Sequence, residues 1–314
     1  MYRYKRLMVA LSLGEQDEAS IRYAAMVSNL AMSDKITFIH VAGNSDIPED
    51  LRAEYPELVQ PVDKFAKHGM EELVLKYFNG YSDAKLEYEV VEGFPLMELL
   101  HRAKQEEIDL IITGKRREPR ESGTLPQKLA RKAPCSMLFI PEGAKSALTN
   151  ILVPTDFSEN SVDAMDVAVA FATAAGVPEI HCLHAYNVPI GFYKTGKTYE
   201  EFAEIMKGHA EKNYQEFLRT DICRNETVCE LRNLKEVTVS PIFKLEKKPA
   251  TAIDEVIKEN QIDLLIVGAR GRKAAAGVLL GSVTEHQIKR SSIPVLAVKR
   301  KGAGMSLLDA LLKL

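Results

Sequence analysis

Glycines and hydroxyl residues recur at a spacing that suits phosphate binding between residues 268 and 284. Two residues separate Gly268 from Gly271, and nine more lead to Gly281 and Ser282. Glycine allows a sharp turn and lets a phosphate oxygen approach main-chain N–H groups without a Cβ atom in the way. Gly281 and Ser282 stand where a helix should begin, which brings unsatisfied N–H groups and the positive end of the helix dipole to one place. The segment predicts a phosphate-binding loop.

A carboxylate and several basic side chains could complete such a site. Asp156 follows a short apolar run, within the sequence from Pro154 to Ser158. Arg270 lies inside the glycine segment, where it could add positive charge near a polyphosphate. Arg272 and Lys273 could do the same, although a solvated loop explains those two equally well.

Short apolar runs alternate with helical patterns along the whole chain, which predicts an α/β protein. The runs are apolar on successive residues, as expected of strands that are covered by helices on both faces. Segments such as Glu18–Ala31 and Ser161–Ala175 repeat apolar residues at helical spacing, and Ser158 and Ser161 are candidate caps for the second. The ten predicted strands are Leu7–Leu11, Ile36–Val41, Lys85–Val91, Leu110–Thr113, Ser136–Ile140, Ile151–Pro154, Ile180–Ala185, Thr238–Leu245, Leu264–Val267 and Val295–Val298.

The second half of the chain repeats the first. Residues 6–43 align with residues 150–187 without a gap, and Ile108–Arg116 matches Ile262–Arg270. We therefore predict two domains, residues 1–145 and 149–304, followed by a short amphipathic helix over residues 305–314.

Five strands alternating with helices predict a doubly wound parallel sheet in each half. Such sheets bind ligands outside the carboxyl ends of the strands, where the strand order reverses. In the order 3-2-1-4-5 the first and fourth strands are neighbours at that point. Asp156 and the loop that begins at Gly268 should therefore face the same crevice.

The spacing G-x2-G-x9-G-S, together with V-P-T-D-F-S after the first strand, resembles the ATP-binding class of universal stress proteins. The resemblance covers nearly the whole chain, twice over. It implies a Rossmann-like fold of the adenine nucleotide alpha hydrolase type, and ATP as the ligand, with ADP or AMP as alternatives and Mg²⁺ accompanying the phosphates. In that family the first-strand Asp and its neighbours hold the adenosine, while the glycine loop and the G-S-x-T helix start hold ribose and phosphates.

Carried over residue by residue, the resemblance implies a nucleotide site in the second half. Ala185 stands where the family often has a Val that lines the adenine pocket. The implied site residues are Pro154, Thr155, Asp156, Ala185, Val267, Gly268, Arg270, Gly271, Gly281, Ser282, Val283 and Thr284.

The first half departs from this pattern. Ser12 replaces the Asp, Ala10 replaces the Pro, and Arg117 replaces the second glycine, in a loop that is four residues shorter. We interpret the first half as a degenerate site that is kept as scaffold. The alternative is that its basic stretch, residues 115–120, binds another anion.

Composition limits the remaining function classes. A formal net charge of −3 gives no reason to expect nucleic acid or an anionic membrane as the main partner. The sequence has no run of about 18 apolar residues, so a transmembrane helix is not expected. The apolar run before Gly14 is too short for the core of a signal peptide. Four cysteines in 314 residues fit a reduced, cytoplasmic setting.

Metal binding has little support in the sequence. Cys182 and His184 would share one face of a strand, with His181 on the other, and two ligands do not close a zinc site. A structural role for His184, or a place at the edge of the pocket, is the better interpretation. The six-residue separation of Cys223 and Cys229 matches no usual zinc pair.

The leading hypothesis is an adenine-nucleotide-binding stress or regulatory protein, with nucleotide in the second half only. The two halves are expected to pack as a pseudo-twofold pair, and two chains to form a homodimer. No nucleophile–base pair or carboxylate dyad is visible, so hydrolysis of ATP would be slow and incidental. The alternatives are an adenylate-transfer or ATP-hydrolysing enzyme and a nucleotide-free interaction module. The longer insertion at residues 188–236 either covers the sheet or forms a lid or partner surface.

Overall fold

A computed structural model describes residues 4–14, 16–43, 62–78, 82–116, 124–221, 237–271 and 280–300. The chain divides into two compact units. The first contains the described residues up to Ser146, and the second runs from Ala147 to Arg300.

The first unit alternates strands and helices, and its sheet has the order β3-β2-β1-β4-β5 with parallel neighbours. Its elements in chain order are β1 (Arg6–Leu11), α1 (Asp17–Ala31), β2 (Lys35–Ala42), α2 (Val62–Tyr77), β3 (Lys85–Glu92), α3 (Pro95–Gln105), β4 (Leu110–Lys115), α4 (Leu125–Lys132) and β5 (Ser136–Pro141).

The second unit repeats this arrangement with the order β8-β7-β6-β9-β10, again parallel. Its elements are β6 (Ile151–Pro154), α5 (Glu159–Ala175), β7 (Glu179–Tyr186), a 3₁₀ turn (Phe192–Thr195), α6 (Tyr199–Glu216), a π-helical turn (Phe217–Asp221), β8 (Thr238–Leu245), α7 (Pro249–Glu259), β9 (Leu264–Gly268), α8 (Ser282–Arg290) and β10 (Val295–Val298). Each unit thus has the predicted doubly wound fold, with its strands in the order 3-2-1-4-5.

The central strands are buried on both faces, which explains their unbroken apolar runs. Leu110, Ile111 and Ile112 of β4 are fully buried, and so are Leu265 and Ile266 of β9. Burial of this apolar surface is the main force that holds helices to each side of the sheet.

Helix α5 begins where its sequence predicts a cap. The Ser158 side chain accepts a hydrogen bond from the N–H of Ser161, at 3.4 Å. Helix α6, in the insertion, begins with a full capping box, in which Thr198 and Glu201 satisfy each other's backbone N–H groups. Local side-chain chemistry therefore sets the start of both helices.

An aspartate clamps the first strand to the fourth in each unit. In the second unit, Asp263 Oδ2 accepts hydrogen bonds from the N–H and the hydroxyl of Thr149, at 2.7 and 2.6 Å. The N–H of Asn150 also donates to this carboxylate. In the first unit, Asp109 accepts from the N–H of Lys5 and from that of Arg6, the first residue of β1, at 3.0 Å each. The clamp fixes the two strands side by side where they enter the sheet.

The insertion packs on the outer strand of the second unit. Tyr214 of α6 is buried, and its hydroxyl donates to the carbonyl of Val239 in β8 at 2.6 Å. The same strand carries Pro241 and Lys244, and the Lys244 ammonium pairs with Glu259 at 2.8 Å. Proline and charge on an outer strand disfavour pairing with another chain.

No described helix is long and apolar enough to cross a lipid bilayer. Some predicted features lie outside the described residues: the helix over residues 305–314, and the cysteines Cys223 and Cys229.

We predict that Asp263→Ala lowers the free energy of unfolding of the second unit by about 1–2 kcal/mol, because backbone donors at the start of β6 lose a charged acceptor. Urea unfolding of the full chain, followed by hydrogen exchange of peptides from each unit, measures the loss and assigns it. Asp109→Ala should produce the same effect in the first unit alone. Unchanged exchange in β6 and β9 of the Asp263 variant would contradict the clamp.

Candidate functional site

The candidate site lies at the carboxyl ends of β6 and β9 in the second unit. The turn of residues 155–158 follows β6, and the loop that begins at Gly268 follows β9. The structure brings the two together: a Cβ atom on residue 271 would lie 2.7 Å from Oδ2 of Asp156. The expected proximity of Asp156 to the glycine loop is therefore observed.

Asp156 is held by hydrogen bonds from its own turn and from α5. Its Oδ1 accepts from the Ser161 hydroxyl at 2.9 Å and from the N–H of Ser158 at 3.2 Å. The Asp156 N–H donates to the Ser161 hydroxyl at 3.3 Å. These bonds fix the carboxylate with Oδ1 toward the helix and Oδ2 beside Gly271. Sequence alone marks Ser161 as a candidate helix cap and does not indicate its bond to Asp156.

Gly268 is required by packing. A Cβ atom on this residue would lie 2.6 Å from the carbonyl oxygen of Asn160 and 2.8 Å from its carbonyl carbon. The end of β9 therefore lies directly against the first turn of α5. Such a backbone contact admits only glycine, whatever the ligand.

Thr284 and Thr155 make internal contacts in the site. The buried Thr284 hydroxyl donates to the carbonyl of Gly268 at 2.8 Å, which ties α8 to the end of β9. The Thr155 hydroxyl accepts from the N–H of Phe157 at 2.9 Å, and the Thr155 N–H donates to Leu183. Both hydroxyls thus bond backbone groups of the segments that meet at the site.

Gly281 differs from the other two glycines. Its N–H donates to the carbonyl of Ala269 at 2.8 Å, and its φ of −72° and ψ of 147° suit any residue. A Cβ atom there would lie 3.6 Å from the Ala269 oxygen, the Arg270 Cα and the Gly271 nitrogen, which is ordinary contact. Neither its backbone conformation nor its contacts with the described residues require glycine at this position.

Helix α8 directs its first turn toward the same loop. Gly281 caps it, exposed Ser282 and half-buried Val283 follow, and the first N–H groups of a helix have no acceptor within it. Arg270 and Gly271 lie half-buried beside this turn. The remaining predicted site residues also stand at carboxyl strand ends: Pro154 on β6, Ala185 on β7 and Val267 on β9.

An aromatic contact braces the Asp156 turn. Phe157 has a left-handed φ of 60°, which is unusual for a bulky residue. Its ring lies 4.4 Å from that of His184 and 5.6 Å from that of Phe217, measured between centroids. His184 donates from Nδ1 to the carbonyl of Thr155 at 2.9 Å, so it has the structural role at the pocket edge that its position suggests. Phe217 comes from the insertion and was not foreseen.

The first unit builds the same turn with different chemistry. Leu13 takes the left-handed conformation, with φ of 59°, and His40 bonds the carbonyl of Leu11 at 3.0 Å. The carboxylate, however, comes from Asp17 on α1, which is 2% exposed. It accepts from the N–H and hydroxyl of Ser12, at 2.9 and 3.1 Å.

The fourth strand of the first unit also ends differently. A Cβ atom on Gly114, the counterpart of Gly268, would lie 3.3 Å from the Ser20 hydroxyl and 3.8 Å from the nearest backbone oxygen. Lys115 stands where the second unit has Ala269, and burial lowers the pKa of Lys115 to about 8. Residues 117–123 of the basic loop, like Arg272 and Lys273, lie outside the described residues.

Metal-binding side chains do not gather in the described parts of the chain, where no three His, Cys, Asp or Glu residues form a group that could hold an ion. Cys182 is buried, and burial raises the pKa of its thiol to about 12.

Comparison with known proteins gives one consistent family. The model of the universal stress protein family matches residues 3–141 and 148–299. Universal stress protein MJ0577 of Methanocaldococcus jannaschii is 30% identical over 169 residues, covering 49% of this chain and 96% of that protein. The universal stress protein E homolog of Haemophilus influenzae is 21% identical, covering 95% and 98%. The crystal structure of a universal stress protein from Archaeoglobus fulgidus has the same fold, with a TM-score of 0.63, 18% identity, and coverage of 95% and 99%.

We predict that Gly268→Ala destabilises the second unit by about 2 kcal/mol, because the new methyl group overlaps backbone atoms of α5. Gly114→Ala is the matched control and should cost clearly less, since its nearest neighbour is the side-chain hydroxyl of Ser20. Thermal and urea unfolding compare the two variants. Equal losses would show that the close strand–helix contact is not specific to the second unit.

We predict that Lys115→Met stabilises the first unit at pH 7. Burial lowers the pKa of Lys115 to about 8, below its ordinary value of 10.5, so the charged form costs folding energy. This cost is complete below pH 8 and disappears as pH rises toward 10.5, since the folded lysine loses its proton first. The gain from Lys115→Met, measured by urea unfolding, should therefore shrink between pH 8 and 10.5. Lys128→Met, on an exposed site, should show no such trend; a gain independent of pH would contradict the assignment.

Proposed function

Because this chain belongs to the universal stress protein family, with two copies of the family's domain in tandem, we propose that it is an adenine-nucleotide-binding regulatory protein of the stress response. ATP is the proposed ligand, held in the second unit only. ADP and AMP share the groups that the site would recognise.

The position of Asp156 carries this proposal. Its Oδ2 lies against Gly271, in the loop that joins β9 to α8. A carboxylate accepts hydrogen bonds only, whereas the first turn of a helix donates them and attracts negative charge. An adenosine phosphate has hydroxyl and amino donors at one end and phosphate oxygens at the other. The crevice therefore offers complementary groups to both ends of one molecule.

The space beside Gly281, where a side chain would stand, supports the proposal of a phosphate near α8. A Cβ atom at this residue would stand over the Arg270–Gly271 loop, 3.6 Å from the Gly271 nitrogen. Since the described residues around it leave room for a side chain, we attribute the glycine to a ligand that needs the space. The same reasoning does not extend to Gly268, whose contact with Asn160 already requires glycine.

The proposed ligand contacts divide along the crevice. Asp156, with Pro154, Ala185 and Val267 at the neighbouring strand ends, would hold the adenosine. Arg270, Gly271 and the first turn of α8, with Gly281, Ser282 and Val283, would hold the phosphates. Thr155, Gly268 and Thr284 would contribute mainly by fixing these groups in place. Mg²⁺ would enter with the phosphates, whose oxygens are its preferred ligands.

Restriction of binding to the second unit rests on three differences. The carboxylate of the first unit belongs to Asp17 and is buried against its own turn. Lys115 stands in place of Ala269 at the end of the fourth strand. Arg117 replaces the second glycine of the loop.

A binding role, without tuned catalysis, fits the side chains of the crevice. Asp156 accepts two hydrogen bonds on Oδ1, and the hydroxyls of Thr155, Ser158 and Ser161 bond the turn or the helix start. These contacts hold groups still. A catalytic base or nucleophile must instead reach the reacting atoms of the substrate. Side chains that are engaged in bonds to the turn or the helix start are placed to support the site.

We predict that Asp156→Ala weakens ATP binding by about 100-fold, as expected when a charged hydrogen-bonding group is lost from a site. Gly281→Val should abolish binding while leaving the fold intact, because its side chain would enter the phosphate end. Ser12→Ala and changes at Arg117 should leave binding unchanged. Titration with a fluorescent ATP analogue measures all four variants.

Equal losses from first-half and second-half variants would contradict the asymmetry. The nature of the ligand is tested separately, by denaturing freshly purified protein and identifying what it releases. Adenine nucleotide in roughly one-to-one amount is the expected result. A protein that neither releases nor binds nucleotide would instead be an interaction module.

A further inference from the structure

The two units contain the same hydrogen-bonded Asp–Ser pair in opposite order. In the second unit, Asp156 lies in the turn after the first strand and Ser161 lies in the helix; the hydroxyl donates to Oδ1 at 2.9 Å. In the first unit, Ser12 lies in the turn and Asp17 in the helix; the hydroxyl donates to Oδ1 at 3.1 Å. Five positions separate the partners in both units.

The turn around the pair is otherwise the same. The residue after the first partner is left-handed in both units, with φ of 60° at Phe157 and 59° at Leu13. In both units a histidine of the second strand bonds the backbone carbonyl just before the first partner of the pair. His184 bonds the carbonyl of Thr155 at 2.9 Å, and His40 bonds that of Leu11 at 3.0 Å. The two units therefore share one turn geometry and differ in which backbone position carries the carboxylate.

The order of the pair decides which way the carboxylate faces. Carried by the turn, Asp156 keeps Oδ1 on the helix and places Oδ2 beside Gly271. Carried by the helix, Asp17 turns both oxygens back to the turn, where Oδ2 accepts from the N–H groups of Ser12 and Gly14 at 2.9 and 3.1 Å. Only 2% of Asp17 is exposed.

We propose that the order Asp before Ser in this pair is required for a unit to recognise the adenosine part of a nucleotide, and that Ser161 is the positioning residue for Asp156. The inference rests on the proposed function and adds a rule for specificity. Asp before Ser directs a carboxylate at the ligand; Ser before Asp directs it into the turn.

The pair acts on one end of the ligand only. A carboxylate attracts hydroxyl and amino donors and repels phosphate oxygens. Disturbing the pair should therefore reduce affinity for ATP while leaving the affinity for inorganic tripolyphosphate unchanged. General damage to the crevice would reduce both.

The test exchanges the partners within the second unit, as Asp156→Ser with Ser161→Asp. The first unit demonstrates that this order folds, and the exchange alters neither net charge nor composition. The matched control is the reverse exchange in the first unit, Ser12→Asp with Asp17→Ser. A third variant, Ser161→Ala, removes the positioning hydroxyl alone. Melting temperature, ATP affinity and tripolyphosphate affinity are measured on the full chain.

We expect the second-unit exchange to melt near the wild-type temperature and to lose ATP affinity about 100-fold, the loss expected for a charged hydrogen-bonding group. Ser161→Ala should lose about 10-fold, as for one hydrogen bond. Tripolyphosphate affinity should stay at the wild-type value in both. The control exchange should leave binding of ATP unaltered, because the first unit still has Lys115 and Arg117 where the second has Ala269 and Gly271.

Wild-type ATP affinity in the folded exchange variant would overturn the inference, and so would parallel losses of ATP and tripolyphosphate. If the exchange variant does not fold, Ser161→Ala decides: undiminished ATP binding rejects the positioning role, and a loss confined to ATP supports it. Failure of the proposed function has a different signature. In that case the wild-type chain does not bind ATP, and the inference fails with it.

Discussion

The structure depends above all on the parallel contact between the first and fourth strands of each sheet. Asp263 and Asp109 fix that contact at the amino ends, where each carboxylate bonds the backbone that enters the first strand. Because parallel strands fixed at one end also finish together, the segments after them meet at the other end. In the second unit this brings Asp156 against Gly271. The candidate site thus results from a contact on the opposite edge of the sheet.

Duplication has kept the architecture and changed the chemistry. Both units preserve strand order, the left-handed residue and the histidine contact of the turn. The units differ in where a carboxylate is placed, and in whether a lysine or an alanine follows the glycine of the fourth strand. Such small substitutions leave burial and backbone hydrogen bonding largely intact, so the chemistry at the strand ends can change while the fold of the unit stays the same.

The sequence predicts this fold well mainly because the central strands, which are buried on both faces, produce uninterrupted apolar runs. Predicted and observed strand bounds agree to within two residues, and Ile151–Pro154, Thr238–Leu245 and Val295–Val298 match at both ends. The sequence does not distinguish the glycines, since Gly268 is set by contact with Asn160 whereas Gly281 is not set by packing. Nor does it reveal Asp17 or Phe217, whose roles arise from tertiary contacts that no local pattern encodes.

Phe217 gives the insertion a consequence for its host unit. The helix that packs on β8 also ends with a buried ring beside Phe157, whose backbone is held in an unfavourable conformation. The rings of His184 and Phe217 pack against this residue. The insertion is therefore an integral part of the packing of the second unit. Removing the insertion would take away the Phe217 ring that packs against the turn, so changes in either segment are constrained by the other.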